Sequence, residues 1–325
     1  MLNLSHPDEA PDSVKARAKL KLERDLGPDI LAALADPKTV EILLNSDGKL
    51  WQERIGETMR LIGYLSTSRS EAIIKTLAGF HGKEITKGRP LIECELPLDG
   101  SRFAGQFPPI VPAPTFAIRK KAVAIFTLEQ YVESGIMTSA QRDVIVSAVN
   151  QHKNILVTGG TGSGKTTLVN AIINRMVVTD PTERIVIIED TGEIQCAADN
   201  FVQYHTSLDI TMTQLLRTTL RMRPDRILVG EVRGPEALDL LMAWNTGHEG
   251  GAATLHANNA RAGLARLALL ISMHPDSPKP IEPLIGEAVH LIIHIARTQQ
   301  GRRVAEIVDL LGYQDGHYMT QTAGV

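Results

Sequence analysis

Cysteine is nearly missing from this chain. There are two in 325 residues, Cys94 and Cys196, far apart and in no metal-ligand spacing. That excludes a disulfide framework and a four-cysteine zinc element, and leaves two free thiols in a reducing compartment. Aromatics are scarce at 4%, and the net charge is −3. A strand-gripping protein needs a stacking platform and a basic groove, so direct nucleic-acid binding is not indicated. No apolar run approaches the length that spans a bilayer. The opening MLNLSHPDEAPDS has no cationic segment followed by an apolar core, so it does not read as a signal peptide. The expectation is a cytoplasmic protein whose only membrane contact is peripheral. A composition of 43% hydrophobic and 22% charged residues allows a sizeable core, and the length allows two domains.

What is present centres on Asn154 to Thr167, NILVTGGTGSGKTT. Ile155 to Val157 form an apolar run that stops in glycines, as a buried strand entering a turn does. Gly159, four residues, then Gly164-Lys165-Thr166 fits G-x-x-x-x-G-K-[ST], a phosphate-binding loop. Glycines at 159, 160, 162 and 164 allow φ > 0 and let several N–H groups converge on one anion. Thr161, Ser163 and Thr167 complete the loop. A helix from Lys165 to about Met176 adds the positive end of its dipole. In such loops the lysine, here Lys165, reaches the β- and γ-phosphates of ATP, and the hydroxyl of Thr166 ligates Mg²⁺.

Upstream, Ser13 to Ala35 reads as a basic helix with Val14, Ala18 and Leu22 on one face, suited to packing or to lying on a membrane surface. Val40–Asn45 and Lys49–Ile55 form a hairpin across Ser46-Asp47-Gly48. Ser68 to Glu71 is a capping box opening a helix to about Ala78. Ile92–Leu96, Ser101–Gln106 and Thr115–Arg119 are further strands. This makes an α+β unit over residues 1–120, a linker region over 121–138 that includes a short helix around Leu128, Tyr131 and Val132, and a second domain over 139–325. In the second domain apolar strands at Ile185–Ile188, Ile227–Val229, Ala252–Leu255, Leu291–Ile295 and Val304–Leu311 alternate with helices. That pattern predicts a mainly parallel sheet covered on both faces, with ligands beyond the carboxyl ends of its strands.

Three strands end in polar groups that this topology brings towards the phosphates: IVIIEDTGE with Glu189, Asp190 and Glu193; ILVGEVR with Glu231; and TGHEGGAATLHA with His256. Each group has a plainer use as a helix cap or a satisfied core residue. The phosphate loop favours chemistry for Glu193 and Glu231, because γ-phosphate hydrolysis needs a metal and an oriented water. Gly230 stands before Glu231 where many phosphate-loop proteins have aspartate. His248-Glu249 is not a zinc-protease helix, since Ala252 replaces the second histidine. His290 and His294 read as core or edge residues. Arg217, Arg221, Arg223, Arg226 and Arg233 crowd one stretch, as surface pairs or as groups that neutralise phosphate charge.

The set GGTGSGKTT, IIEDTGE, LLRTTLRMRPDRILVGEVRGPEA and TGHEGGAATLHANN resembles the secretion ATPase family of type II and type IV secretion and type IV pili. The four segments match its Walker A, aspartate box, Walker B and histidine box, in order, over about residues 115–310. The absence of a zinc element is closer to the type IV branch. The resemblance implies a RecA-like ATPase domain after a smaller α+β domain, and a homo-hexamer with nucleotide between the two domains. It implies Glu193 as water-orienting base, Glu231 on the metal side, His256 near the γ-phosphate, and Arg119 reaching the nucleotide. Secretion or conjugation proteins at the inner membrane would be its partners. A nucleotide-gated scaffold without turnover, a DNA-translocating motor and a small-molecule kinase remain as competing readings.

Overall fold

A computed structural model describes residues 14–54, 57–120, 126–207 and 209–324. The opening segment MLNLSHPDEAPDS, residues 1–13, therefore lies outside the described residues. The chain divides into two compact units, Met1–Val123 and Ala124–Val325.

The first unit runs α1 (Val14–Ala35), β1 (Thr39–Leu44), β2 (Lys49–Arg54), β3 (Arg60–Tyr64), α2 (Thr67–Phe80), β4 (Leu91–Glu95), β5 (Arg102–Gln106) and β6 (Thr115–Arg119). Its sheet has the order β3-β2-β1-β6-β5-β4, and every pair is antiparallel. Alternate residues face inward, as an antiparallel sheet with one covered face requires. Ile42, Leu50, Phe103 and Ile118 meet Leu22, Leu26 and Ile30 of α1 and Ile73, Ile74 and Leu77 of α2. The helix read over Ser13–Ala35 packs by Leu22, Leu26, Ile30 and Ala33, while Val14 is exposed. Gly27, at φ +76, and Pro28 break it in the middle, since proline cannot continue a helical hydrogen-bond ladder. The capping box expected at Ser68–Glu71 is displaced: the cap is Ser66, whose hydroxyl accepts the Arg69 N–H.

The second unit runs α3 (Leu128–Glu133), α4 (Ser139–Asn150), β7 (Ile155–Gly159), α5 (Lys165–Thr179), β8 (Ile185–Glu189), β9 (Phe201–His205), α6 (Met212–Thr219), β10 (Arg226–Val229), α7 (Glu236–Trp244), β11 (Ala252–His256), α8 (Ala260–Ser272), α9 (Glu282–Ala288), β12 (Leu291–Thr298), β13 (Gly301–Gln314) and β14 (His317–Ala323). Its sheet has the order β14-β13-β12-β7-β11-β10-β8-β9. The six strands from β12 to β9 are parallel, and β13 and β14 extend one edge in antiparallel fashion. β7, β8 and β10 are buried along their whole length. One face packs on α6, α7, α8 and α9, the other on α3, α4 and α5. Of the segment 121–138 read as a linker, residues 121–125 lie outside the described residues. The rest carries α3, whose Leu128 and Tyr131 are buried in the core of the second unit. Among the described residues no helix is long and apolar enough to cross a membrane.

Candidate functional site

The carboxyl ends of the central strands converge on the loop between β7 and α5. Gly162 (φ +69) and Gly164 (φ +98) are left-handed, which only glycine adopts without cost. A side chain on Gly159 would collide with the Ile295 carbonyl and the Ser163 hydroxyl. Gly160 and Thr161 form the exposed rim, and Thr167 is half-buried in the first turn of α5. Ser163 is buried, and its Oγ has no hydrogen-bond partner among the described residues. Lys165 Nζ donates to the carbonyls of Gly159 and Gly160, at 3.1 Å each, and lies 3.4 Å from both ring nitrogens of His256.

The other groups arrive from three neighbouring strands. Beyond β8, the hydroxyl of Thr166 donates to Glu193 Oε2 at 3.2 Å. The loop carrying Glu193 is held from below by a residue that sequence reasoning left at the tip without a role. Glu189 accepts the N–H groups of Glu193 (3.0 Å) and Ile194 (2.9 Å), and the Gln203 amide at 2.6 Å. Burial raises the Glu189 carboxyl above its ordinary range, against the pull of those donors. Asn170 of α5 grips the same loop by accepting the Gln195 N–H. Glu189 also explains Gly230: a Cβ there would fall 2.8 Å from Glu189 Cγ, so the usual aspartate has no room.

Beyond β10, Glu231 accepts from Arg233 at 2.7 Å and meets His256 Nε2, at the end of β11, at 2.9 Å. Arg233 also reaches Asp190 at 3.2 Å, joining the tips of β8 and β10. The Glu231 contact raises the pKa of Arg233. His256 is pushed below 6.5, first by burial and then by Lys165, while Glu231 opposes the shift. The Thr166 hydroxyl and the Glu231 carboxylate are hard oxygen donors, the chemistry that Mg²⁺ selects when phosphate oxygens and water complete its shell. The residues therefore fit that ion.

The arginine-rich stretch does not stay together. Arg226 opens β10 at the amino end of the sheet, fully buried, paired with Glu183 and bonded to the carbonyls of Gly250 and Val149. Arg217 forms a surface pair with Asp239. Arg233 reaches the phosphate-loop end, against Asp190 and Glu231. His248 lies at the amino end as well, against the Pro224 carbonyl. His290 accepts the Asn154 N–H, and His294 is buried against the Thr158 hydroxyl. Arg119 closes β6 in the first unit, exposed, opposite Glu41 and Arg102. One further group near the loop was not legible as such: Arg302, at the start of β13, donates to the Gly162 carbonyl at 3.4 Å.

Residues 92–317 match the family described as type II/IV secretion system protein. The conjugal transfer protein TrbB of Rhizobium radiobacter is 48% identical over 301 residues, covering 93% of each chain. The type IV secretion system protein PtlH of Bordetella pertussis is 35% identical over 312 residues, covering 85% of this chain and 90% of that one. Among solved structures the Legionella pneumophila ATPase DotB shares the fold, with a TM-score of 0.61 at 23% identity over 88% of this chain and 80% of that one.

Proposed function

Because the chain belongs to the type II/IV secretion family of traffic ATPases, we propose that it hydrolyses Mg-ATP to ADP and phosphate to drive conjugal transfer or type IV secretion. The observation that carries this is the meeting of Lys165, Thr166, Glu193, Glu231 and His256 at one end of one sheet. Bound Mg²⁺ would supply charge neutralisation at the phosphates, held by Thr166 and on the side of Glu231. The loop N–H groups and Lys165 bind the phosphates. Glu193 orients the attacking water and takes its proton. His256, held neutral between Lys165 and Glu231, follows the γ-phosphate. The chain works as a homo-hexamer on the cytoplasmic side of the inner membrane, beside other proteins of the transfer machinery. Nucleotide must bind two arrangements of the chain unequally to do mechanical work, since equal affinity shifts nothing.

The test is phosphate release from Mg-ATP across a range of protein concentrations, with Lys165→Ala alongside. Turnover per chain that rises with concentration, and disappears in Lys165→Ala, is the expected result. Undiminished turnover in Lys165→Ala would remove the assignment of the site. Binding of ATP with no release at any concentration, and with transfer proteins added, would favour the scaffold. Turnover that requires DNA would favour the motor.

A further inference from the structure

The phosphate loop has two flanks. On one lie β11, β10 and β8, which carry His256, Glu231 and Glu193. On the other lies β12, parallel to β7 with His294 beside Thr158. β12 runs past the end of β7 and turns back as β13. The turn is tightly made: the Thr298 hydroxyl donates to the Gly301 carbonyl at 2.9 Å, Gln300 N–H donates to Thr298 Oγ1, and Gly301 takes φ +122. At its base the Val304 N–H donates to the Ile136 carbonyl at 2.8 Å, and Gln141 donates to the Val304 carbonyl.

This rigid hairpin sets Arg297 directly opposite Arg302. Both overhang the loop. Arg302 Cδ lies 3.0 Å from the point where a Cβ on Gly164 would sit, and an Arg297 guanidinium nitrogen lies 3.9 Å from the same point on Gly162. Among the described residues neither arginine has a carboxylate within 4.0 Å. Like charges directly opposed across a hairpin are destabilising. Here two are held against a loop built to collect anions. With the reacting phosphate turned towards β11, β10 and β8, the remainder of a nucleotide leaves on the β12 side.

We propose that Arg297 and Arg302 bind the α-phosphate and nucleoside end of the nucleotide, as a subsite shared by ATP and ADP. This rests on the ATPase reading above. A contact to a part that does not react stabilises ground state and transition state alike, so its loss raises KM and leaves kcat nearly unchanged. The experiment compares Arg297→Ala, Arg302→Ala and Arg302→Lys with the unaltered chain, by calorimetric titration with ADP, Mg-ATP kinetics and thermal unfolding without nucleotide. Each alanine variant is expected to weaken ADP binding and raise KM by a similar factor, about tenfold for a charge-assisted hydrogen bond. Arg302→Lys should recover part of that loss, because it keeps the charge without the planar fork. Unfolding without nucleotide should be unchanged or shifted upward, since a repulsion is relieved. Loss of ATP affinity alone, a tenfold fall in kcat at constant KM, or a lowered unfolding temperature would each overturn the subsite. So would unchanged ADP binding. If the unaltered chain bound neither nucleotide, the ATPase reading would fall with it.

Discussion

The two ends of the parallel sheet are both polar, and they treat their polar groups differently. At the amino end Arg226 is fully enclosed, yet Glu183, Gly250 and Val149 take up its donors. Asn154 beside it is just as complete. Its amide oxygen accepts the N–H groups of Gly250 (2.8 Å) and Gly251 (3.1 Å), and its amide nitrogen donates to Ala288 at 2.8 Å. At the carboxyl end Ser163 Oγ is buried without a partner, Lys165 donates to carbonyls of its own loop, and Arg297 faces Arg302. A polar group closed off by protein partners holds the fold. One that the protein leaves unmatched, beside a cradle of N–H groups, marks where a ligand belongs.

Substitutions at the two ends should therefore fail in different ways. The largest effect is expected from Arg226→Ala, which takes the guanidinium partner from the buried Glu183 carboxylate and leaves it the His152 ring at 2.6 Å. Removing one member of such a pair costs about 3–5 kcal/mol, read as a lower midpoint in denaturant unfolding. Wild-type stability in that variant would erase the difference between the two ends. At the other end Glu193→Gln should leave unfolding and ATP binding intact while slowing phosphate release about a hundredfold, the size of a lost general base. Full turnover in Glu193→Gln would sink its assignment as base.

Ser163→Ala sharpens the contrast. Removing a buried hydroxyl that lacks a partner should leave the nucleotide-free chain as stable as before or slightly more so, while weakening ADP binding a few-fold. Calorimetry and thermal unfolding read the two effects separately. The smallest effect concerns His256. Its folded pKa lies below the ordinary 6.5, so as pH falls below 6.5 the unfolded chain takes up its proton first. Stability from this group is therefore present above 6.5 and lost as pH drops through the folded pKa. The slope of unfolding free energy against pH should be shallower in His256→Ala, and an identical slope in both would contradict the depressed pKa.

Most of the second unit could be read from sequence because its strands are buried on both faces and stand out as apolar runs. β9 (FVQYH) and β14 (HYMTQTA) lie at the sheet edges, half-exposed and mixed in composition, and give no such signal. β3 (RLIGY) escaped for the same reason in the first unit. The site was legible where loop geometry demands particular residues, as at Gly159 to Thr166. Arg226 and Arg233 show the limit. Seven residues apart, they sit at opposite ends of β10 and its following turn, because a strand carries the chain across the sheet. Arg302 was hidden for a related reason: it acts on a loop distant in sequence, through a contact that only the fold creates. Glu189 was hidden because the loop after β8 folds back so that the N–H groups of Glu193 and Ile194 reach its carboxylate, and no residue pattern announces that turn.

The central position of β7 also has a consequence for how the chain is made. Its parallel neighbours are encoded far downstream, and Asn154 meets His290 across a separation of 136 residues. At about 5–20 residues per second, the ribosome delivers β12 roughly 7–27 seconds after β7. During that interval the GGTGSGKTT segment exists without the strand that supports Gly159 from the side. The nascent chain thus acquires its nucleotide site only once β12 has been made. A polypeptide cut short before β12 would expose one flank of β7 to chaperones rather than display a working phosphate loop.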